Sequence, residues 1–304
     1  MTKPEENNTN DPVFEDEVDL RELISVVWKG KMLILVATGV VAISSIFISL
    51  SLTNYYTSEA VLIARDQQDT PLSEFSGLAS LAGVNLDNTG SSIFKMMGII
   101  ESREFVKHLI TFEDVLPSIM AAKSYDPSSN QLYFDPEVYD SETNTWTREA
   151  PANRGIEPSY LEAHKEYLEM IYMVKDKMTG HITIGVEHIS PVFAKEFLTL
   201  IIQEANNLNR NIDIESSSKA VSYLTEELSD TPQLEVKKSI SKLIEHQFET
   251  RMMASIHEDY VLIPLEPPFI PEKKSGPIRS LIVILSTLVA GMLSVMTVLI
   301  RHYF

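Results

Sequence analysis

The chain has 304 residues, a formal net charge of −18 and no cysteine. The missing thiols exclude a disulfide framework and thiolate metal sites, and the acidity argues against nucleic acid or anionic lipid headgroups held through a basic patch. Of the −18, the leader up to Lys31 carries −4 and Arg301 carries +1, which leaves −15 on the middle of the chain, most simply as solubilising surface.

Residues 1–19 are rich in Asn, Glu, Asp and Pro and poor in apolar positions, a composition that predicts disorder. In VDLRELISVVW, Val18, Leu20, Leu23, Ile24, Val27 and Trp28 recur at helical spacing opposite Asp19, Arg21 and Glu22. This predicts a short amphipathic helix lying at a membrane surface, with Trp28 at headgroup depth. Residues 1–31 thus read as a tail and an interfacial helix.

Met32 to Leu52 is 21 residues without a charge, and Leu281 to Ile300 is 20. As helices rising about 1.5 Å per residue, each is roughly 30 Å long, the thickness of a bilayer's hydrocarbon core. A cleavable secretory signal has a shorter apolar run behind a basic start, whereas this one follows an acidic leader. A buried core helix is the other alternative, but this run has no charged face, and Leu33, Ile34, Leu35, Val36, Val40, Val41 and Ile43 point in every direction. Two spans place both termini on one side of the bilayer and residues 53–280 on the other. Lys29, Lys31 and Arg301 flank the terminal side and Lys273, Lys274 and Arg279 the other, and we read residues 1–31 and 301–304 as cytoplasmic. Small residues recur in both spans: Thr38, Ala42, Ser45 and Ser49 in the first, Ser286, Ala290 and Ser294 in the second. Such stripes let membrane helices approach closely, and they also arise by chance.

Between the spans, NYYTSEAVLIA (Asn54–Ala64) predicts a strand. A Gly, Ser and Leu region over Pro71–Ser92 contains GLASLAGVNLDN, and a helix is expected from Ser91 to about Ile110. Residues 121–159 are turn-rich, with strand candidates at Gln131–Phe134 and Thr145–Arg148, and GHITIGVEH (Gly180–His188) alternates as a strand does. Ser190-Pro191 starts a long helix, with Phe193, Phe197, Leu200, Ile201, Glu204 and Leu208 on one face, which runs to a break at Asp230-Thr231-Pro232. A second long helix follows to about Glu258. Val236, Ile240, Leu243, Ile244, Phe248, Met252 and Ile256 form its stripe, expected to be buried. Leu243, Phe248 and Met252 are candidates for packing against other copies of the chain or against its own core, with core the expectation for Phe248. Tyr260–Leu265 reads as a returning strand. Pro264–Pro277 holds five prolines in fourteen residues, a stiff connector to the second span. Pro267, Pro268, Pro271 and Gly276 mark this strut, which serves as a spacer or transmits geometry.

No catalytic arrangement is present. The sequence has no GxxxxGK[ST] loop, no GxSxG elbow and no HExxH motif. Its seven histidines lack metal-ligand spacing and an obvious carboxylate partner. We expect no enzyme activity, no cofactor and no bound metal.

In order and spacing, VDLRELISVVWKGK, the first span, YYTSEAVLIA, GLASLAGVNL, SPVFAKEFLTLIIQEANNLNR, the helix-rich SKAVSYLTEELSDTPQLEVKKSISKLIEHQFETRMMA and PLEPPFIPEKKSGP before a second span resemble the bacterial chain-length determinant family, the Wzz-type polysaccharide co-polymerases. The resemblance implies an α/β membrane protein of the inner membrane, with a periplasmic α/β base and a long protruding helix. It also implies a closed homo-oligomer that sets the modal length of a surface polysaccharide, usually lipopolysaccharide O-antigen. Its partners would be the bilayer, a separate membrane polysaccharide polymerase and the growing lipid-linked glycan. Some relatives carry a cytoplasmic kinase domain after the second span. This sequence ends four residues past Ile300 without a phosphate loop, so the length-regulating class is expected. An accessory role in capsule or exopolysaccharide export is the alternative, and a membrane sensor or scaffold unrelated to glycans a weaker third.

Overall fold

The computed structural model describes residues 20–64 and 88–303. The expected disordered leader and residues 77–87 of the GLASLAGVNLDN segment lie outside the described residues. The chain divides into two compact units, one ending at Leu52 and resuming at Ile278, the other spanning Thr53–Pro277.

The first unit is helical. Helix α1 (Leu20–Lys29) leads through Gly30 into α2 (Lys31–Ser51). The second long apolar helix ends the chain and is numbered below. Both long helices have the length and apolar composition to cross a membrane. On α1, Ile24 and Trp28 are exposed while Val26 is buried. The Lys31 ammonium lies 5.2 Å from the centre of the Trp28 ring, a cation–π contact suited to a polar–apolar boundary.

The second unit is a four-stranded antiparallel sheet with helices packed on one face. Strand β1 (Tyr56–Ala64) is followed by α3 (Asn88–Ile100), α4 (Arg103–Leu109) and α5 (Val115–Met120). The single helix expected up to Ile110 is therefore split. Ser102 stands in extended backbone and its hydroxyl accepts the Phe105 amide, a cap that starts a new helix. Two small hairpins come next, β2 (Ala122–Asp126) with β3 (Gln131–Phe134), and β4 (Tyr139–Asp140) with β5 (Thr145–Trp146). Asp126 and Asp140 each accept the amide two residues on and a turn hydroxyl, which closes both turns. Helix α6 (Tyr160–Met170) opens with a reciprocal Ser159–Glu162 capping box and runs directly into β6 (Ile171–Lys175). Strand β7 (Ile182–His188), helices α7 (Pro191–Asp230) and α8 (Leu234–Ile256), and β8 (Leu262–Glu266) complete the unit, and α9 (Arg279–Tyr303) returns to the first.

The sheet order is β6-β7-β1-β8. Its register places Ser58 opposite Val186, Ala60 opposite Ile184 and Leu62 opposite Ile182. These six residues are buried on one face, as the two-residue period of a strand requires. Helix α7 lies across β1 and β7. Ala194, Phe197, Leu198, Ile201, Ile202 and Ala205 join the sheet residues with Ile100, Phe105, Leu109 and Tyr167 in one core. Phe197 stacks on Phe193 at 5.1 Å and meets Tyr167 edge-on at 6.0 Å.

Candidate assembly surface

Helix α7 has 40 residues, about 60 Å, and α8 has 23, about 35 Å. The start of α7 follows from its sequence. The Ser190 hydroxyl accepts the Phe193 amide at 3.2 Å, and Pro191 occupies the first turn, where its missing N–H costs nothing. The turn at Thr231–Gln233 reverses the chain, and α8 packs back along α7.

A polar row on α7 secures the return. The buried Asn206 carboxamide oxygen accepts the amides of Val261 (3.0 Å) and Leu262 (2.8 Å), and its nitrogen donates to the Leu262 carbonyl at 2.9 Å. The Tyr260 hydroxyl donates to Asp213 at 2.8 Å. Asn206 thus acts as a surrogate strand neighbour for the start of β8.

The stripe on α8 departs from the expectation of burial. Ile240 is buried, but Leu243 is 43% exposed, Phe248 45%, Met252 54% and Ile256 64%. The physical reason is geometric. Helix α8 meets α7 along one narrow line, and Ile240 and Ala254 take that line, so the wider apolar stripe turns outward. Ile244, Phe248 and Met252 border a shallow groove together with Ser241, Glu245 and Glu249. The Arg251 guanidinium lies 4.8 Å from the centre of the Phe248 ring.

The proline-rich connector is bound to the sheet. Pro271 is buried, Pro268 and Gly276 are half-buried and Pro267 is exposed. The Ser58 hydroxyl donates to the Phe269 carbonyl at 2.7 Å. Tyr55 and Gly276 form an antiparallel bridge, with the Tyr55 amide donating to the Gly276 carbonyl at 3.0 Å and the Ser275 amide to the Tyr55 carbonyl at 2.8 Å. The segment thus extends the sheet's pairing toward the end of the unit.

In the first unit, α2 and α9 pack side by side. Ser45 and Ser49 of α2 and Ser294 and Val298 of α9 are buried, while Thr38, Ala42, Ser286 and Ala290 are half-buried. The small-residue stripe of α2 therefore faces this hairpin's own partner helix. Ser286 and Ala290 also border an outward groove with Leu285 and Val289. At Gly30 an added Cβ would lie 2.5 Å from a Val298 methyl, so only glycine fits beneath that side chain.

Three histidines have partners that the sequence does not reveal, among them His164, whose Nε2 lies 2.8 Å from the Glu101 carbonyl oxygen. His108 Nε2 lies 2.6 Å from Glu204, 96 residues away, so the expectation of no carboxylate partner fails for this residue. His188 is buried, bonded through Nε2 to the Ser118 carbonyl at 3.0 Å and accepting the Ser190 amide at Nδ1. Burial favours its neutral ring and holds its pKa down at about 4. Glu162 is held at about 2, chiefly by the Arg148 guanidinium at 3.0 Å. These groups are fully engaged in holding the fold. Among the described residues, no group of three or more His, Asp or Glu side chains is placed to hold a metal ion.

Residues 16–111 match the family model described as "Wzz: Chain length determinant protein". The ferric enterobactin transport protein FepE of Escherichia coli K12 is 25% identical, over 94% of this chain and 89% of its own. A full-length bacterial polysaccharide co-polymerase superposes with a TM-score of 0.40 at 14% identity, over 94% of this chain and 98% of that one. The matched residues take in VDLRELISVVWKGK, the first apolar helix and YYTSEAVLIA, the stretches that begin the resemblance, so the N-terminal third of the chain is similar to the chain length determinant family.

Proposed function

We propose that this protein is a non-enzymatic regulator of the modal chain length of a surface polysaccharide, lipopolysaccharide O-antigen in the first instance. It acts as a homo-oligomeric scaffold in the inner membrane, with both termini cytoplasmic and residues 53–280 periplasmic. The observation that carries the reading is the outward-facing stripe of Leu243, Phe248, Met252 and Ile256 on α8. Apolar side chains aligned on a long helix of an acidic protein gain about 25 cal/mol for each Å² they remove from water, which favours pairing with copies of the same surface. A closed assembly of such helices would hold a separate membrane polymerase and its lipid-linked glycan together for a limited number of additions.

A gel profile of surface polysaccharide from a deletion strain, with and without the restored gene, tests this function. Loss of a modal cluster, leaving a ladder weighted to short chains, is the expected result. An unchanged ladder with polymer at the surface overturns it. Disappearance of surface polymer altogether supports the alternative role in capsule or exopolysaccharide export. The printed name of the E. coli relative supplies a second reading, a part in ferric enterobactin transport. Growth on ferric enterobactin as sole iron source, lost in the deletion strain while the ladder stays intact, would favour it.

A further inference from the structure

The end of the α2–α9 hairpin from which the chain continues into residues 53–277 contains a groove of about 340 Å³. Its surface is almost wholly apolar, from Ile46 and Leu50 of α2 and Val283 and Ile284 of α9, and Ser49, Arg279 and Ser280 also line it. Ser49 is 1% exposed, yet its hydroxyl has no hydrogen-bond partner. Its neighbours on the same helix behave differently. Ser45 donates to the Ala42 carbonyl and Ser51 to the Ile48 carbonyl, both at 2.8 Å. A buried hydroxyl left unpaired in an apolar setting is unfavourable unless a ligand supplies the acceptor.

The charge at this end suits an anion. Arg279, which lines the groove, donates to the Leu52 carbonyl at 3.2 Å and so offsets the negative end of α2. Helix α9, 25 residues long, begins at Arg279 and presents its positive end to the same point. A cation, a helix N-terminus and two hydroxyls thus stand above four aliphatic walls at the depth where a bilayer changes from headgroup to hydrocarbon.

We propose that this groove seats a single phosphate-headed lipid. The phosphate contacts Arg279 and Ser280, the Ser49 hydroxyl donates to an oxygen joining head and chain, and the chain runs along Ile46, Leu50, Val283 and Ile284. The proposal rests on the membrane reading of the two helices and is independent of length control. The same chemistry is offered by a bulk phospholipid and by a polyprenyl phosphate of the kind that carries a glycan.

The test uses purified full-length protein stripped of lipid by detergent exchange. It is incubated with phosphatidylglycerol or with a long-chain polyprenyl monophosphate, and retained lipid is counted by native mass spectrometry. Arg279→Gln should lower retention about tenfold and Ser49→Ala about threefold, as expected for charged and neutral hydrogen bonds. Arg301→Gln, at the opposite end of the hairpin, should leave it unchanged. Equal retention of both lipids by the wild type assigns the groove to bulk phospholipid, and preference for the polyprenyl phosphate assigns it to a glycan carrier. Equal retention by wild type, Arg279→Gln and Ser49→Ala overturns the site, as does an equal loss in Arg301→Gln. Carbonate extraction of native membranes reads insertion alone. Release of the chain there overturns the membrane reading and this proposal with it, whereas a normal polysaccharide ladder would leave both standing.

Discussion

The first half of α7 and the whole of α8 carry the same kind of apolar periodicity and meet opposite fates. On α7, Phe197, Leu198, Ile201 and Ile202 are buried against β1, β7 and α6. On α8, residues of equal size at the same spacing stay about half exposed. A helical stripe shows that some face is to be covered, and the number of elements within reach decides what covers it. Helix α7 begins beside a four-stranded sheet and three other helices. Helix α8 begins beyond the sheet, with one helix beside it, and one neighbour covers only Ile240 and Ala254.

Substitutions that treat the two regions alike sharpen this contrast. Phe197→Ala should destabilise the protein by about 3–5 kcal/mol, the usual result of emptying a packed aromatic site. Phe248→Ala should cost the fold under about 1 kcal/mol, because half of that ring is already in contact with water. Comparable losses in thermal unfolding would erase the distinction. Next in size is Asn206→Ala, which leaves the buried amides of Val261 and Leu262 and the Leu262 carbonyl unpaired at about 1–3 kcal/mol for each group not rescued by water. Amide exchange at Val261 and Leu262 should rise well above that at Ile184, and equal protection of the two strands would refute the role given to Asn206.

Stability toward acid should fall in two windows, both set in the unit that contains α7. His188 has a folded-state pKa of about 4, below its ordinary 6.5. The unfolded chain therefore takes up this proton first, and the contribution of His188 is complete above about pH 6.5 and is lost as pH falls toward 4. Glu162, lowered from 4.5 to about 2, contributes fully above about pH 4.5 and loses its effect as pH falls toward 2. Glu162→Gln should flatten the lower limb of a stability–pH curve and leave the upper one, and the reverse pattern would contradict the assignment. The smallest expected effect is local. Gly30→Val should displace α1 from Val298 and raise proteolysis near Lys29 without changing the unfolding of residues 53–277; unchanged cleavage would show that the close approach at Gly30 has no mechanical role.

Much of the architecture was legible in the sequence because its signals are local. The two charge-free runs, the Ser190-Pro191 helix start, the break near Pro232 and the strands at Tyr56–Ala64 and Ile182–His188 each declare themselves within about twenty residues. Helix α6 was missed although Ser159 and Glu162 form a local start signal, because YLEAHKEYLEM buries only Ala163 and Tyr167 and leaves Leu161 and Leu168 exposed among its charges, so no clean apolar face stands out. The break at Ser102 has a local cause, but the apolar period runs straight through it. Pairs distant in sequence, His108 with Glu204 and Asn206 with the start of β8, leave no pattern to find. For the candidate surface, the sequence supplies Leu243, Phe248 and Met252 as a stripe. Whether that stripe is covered depends on where α8 lies along α7, which no local signal encodes.

The central claim is that the open stripe of α8 serves assembly and, through it, length control. The most direct measurement is the surface polysaccharide ladder of a deletion strain carrying Leu243→Glu, Phe248→Glu and Met252→Glu together. Immunoblotting and thermal unfolding should verify wild-type abundance and fold. The account predicts that the modal cluster disappears and short chains dominate, as in the strain without the gene. A ladder indistinguishable from that of the wild-type gene, with the variant protein folded and abundant, would contradict it.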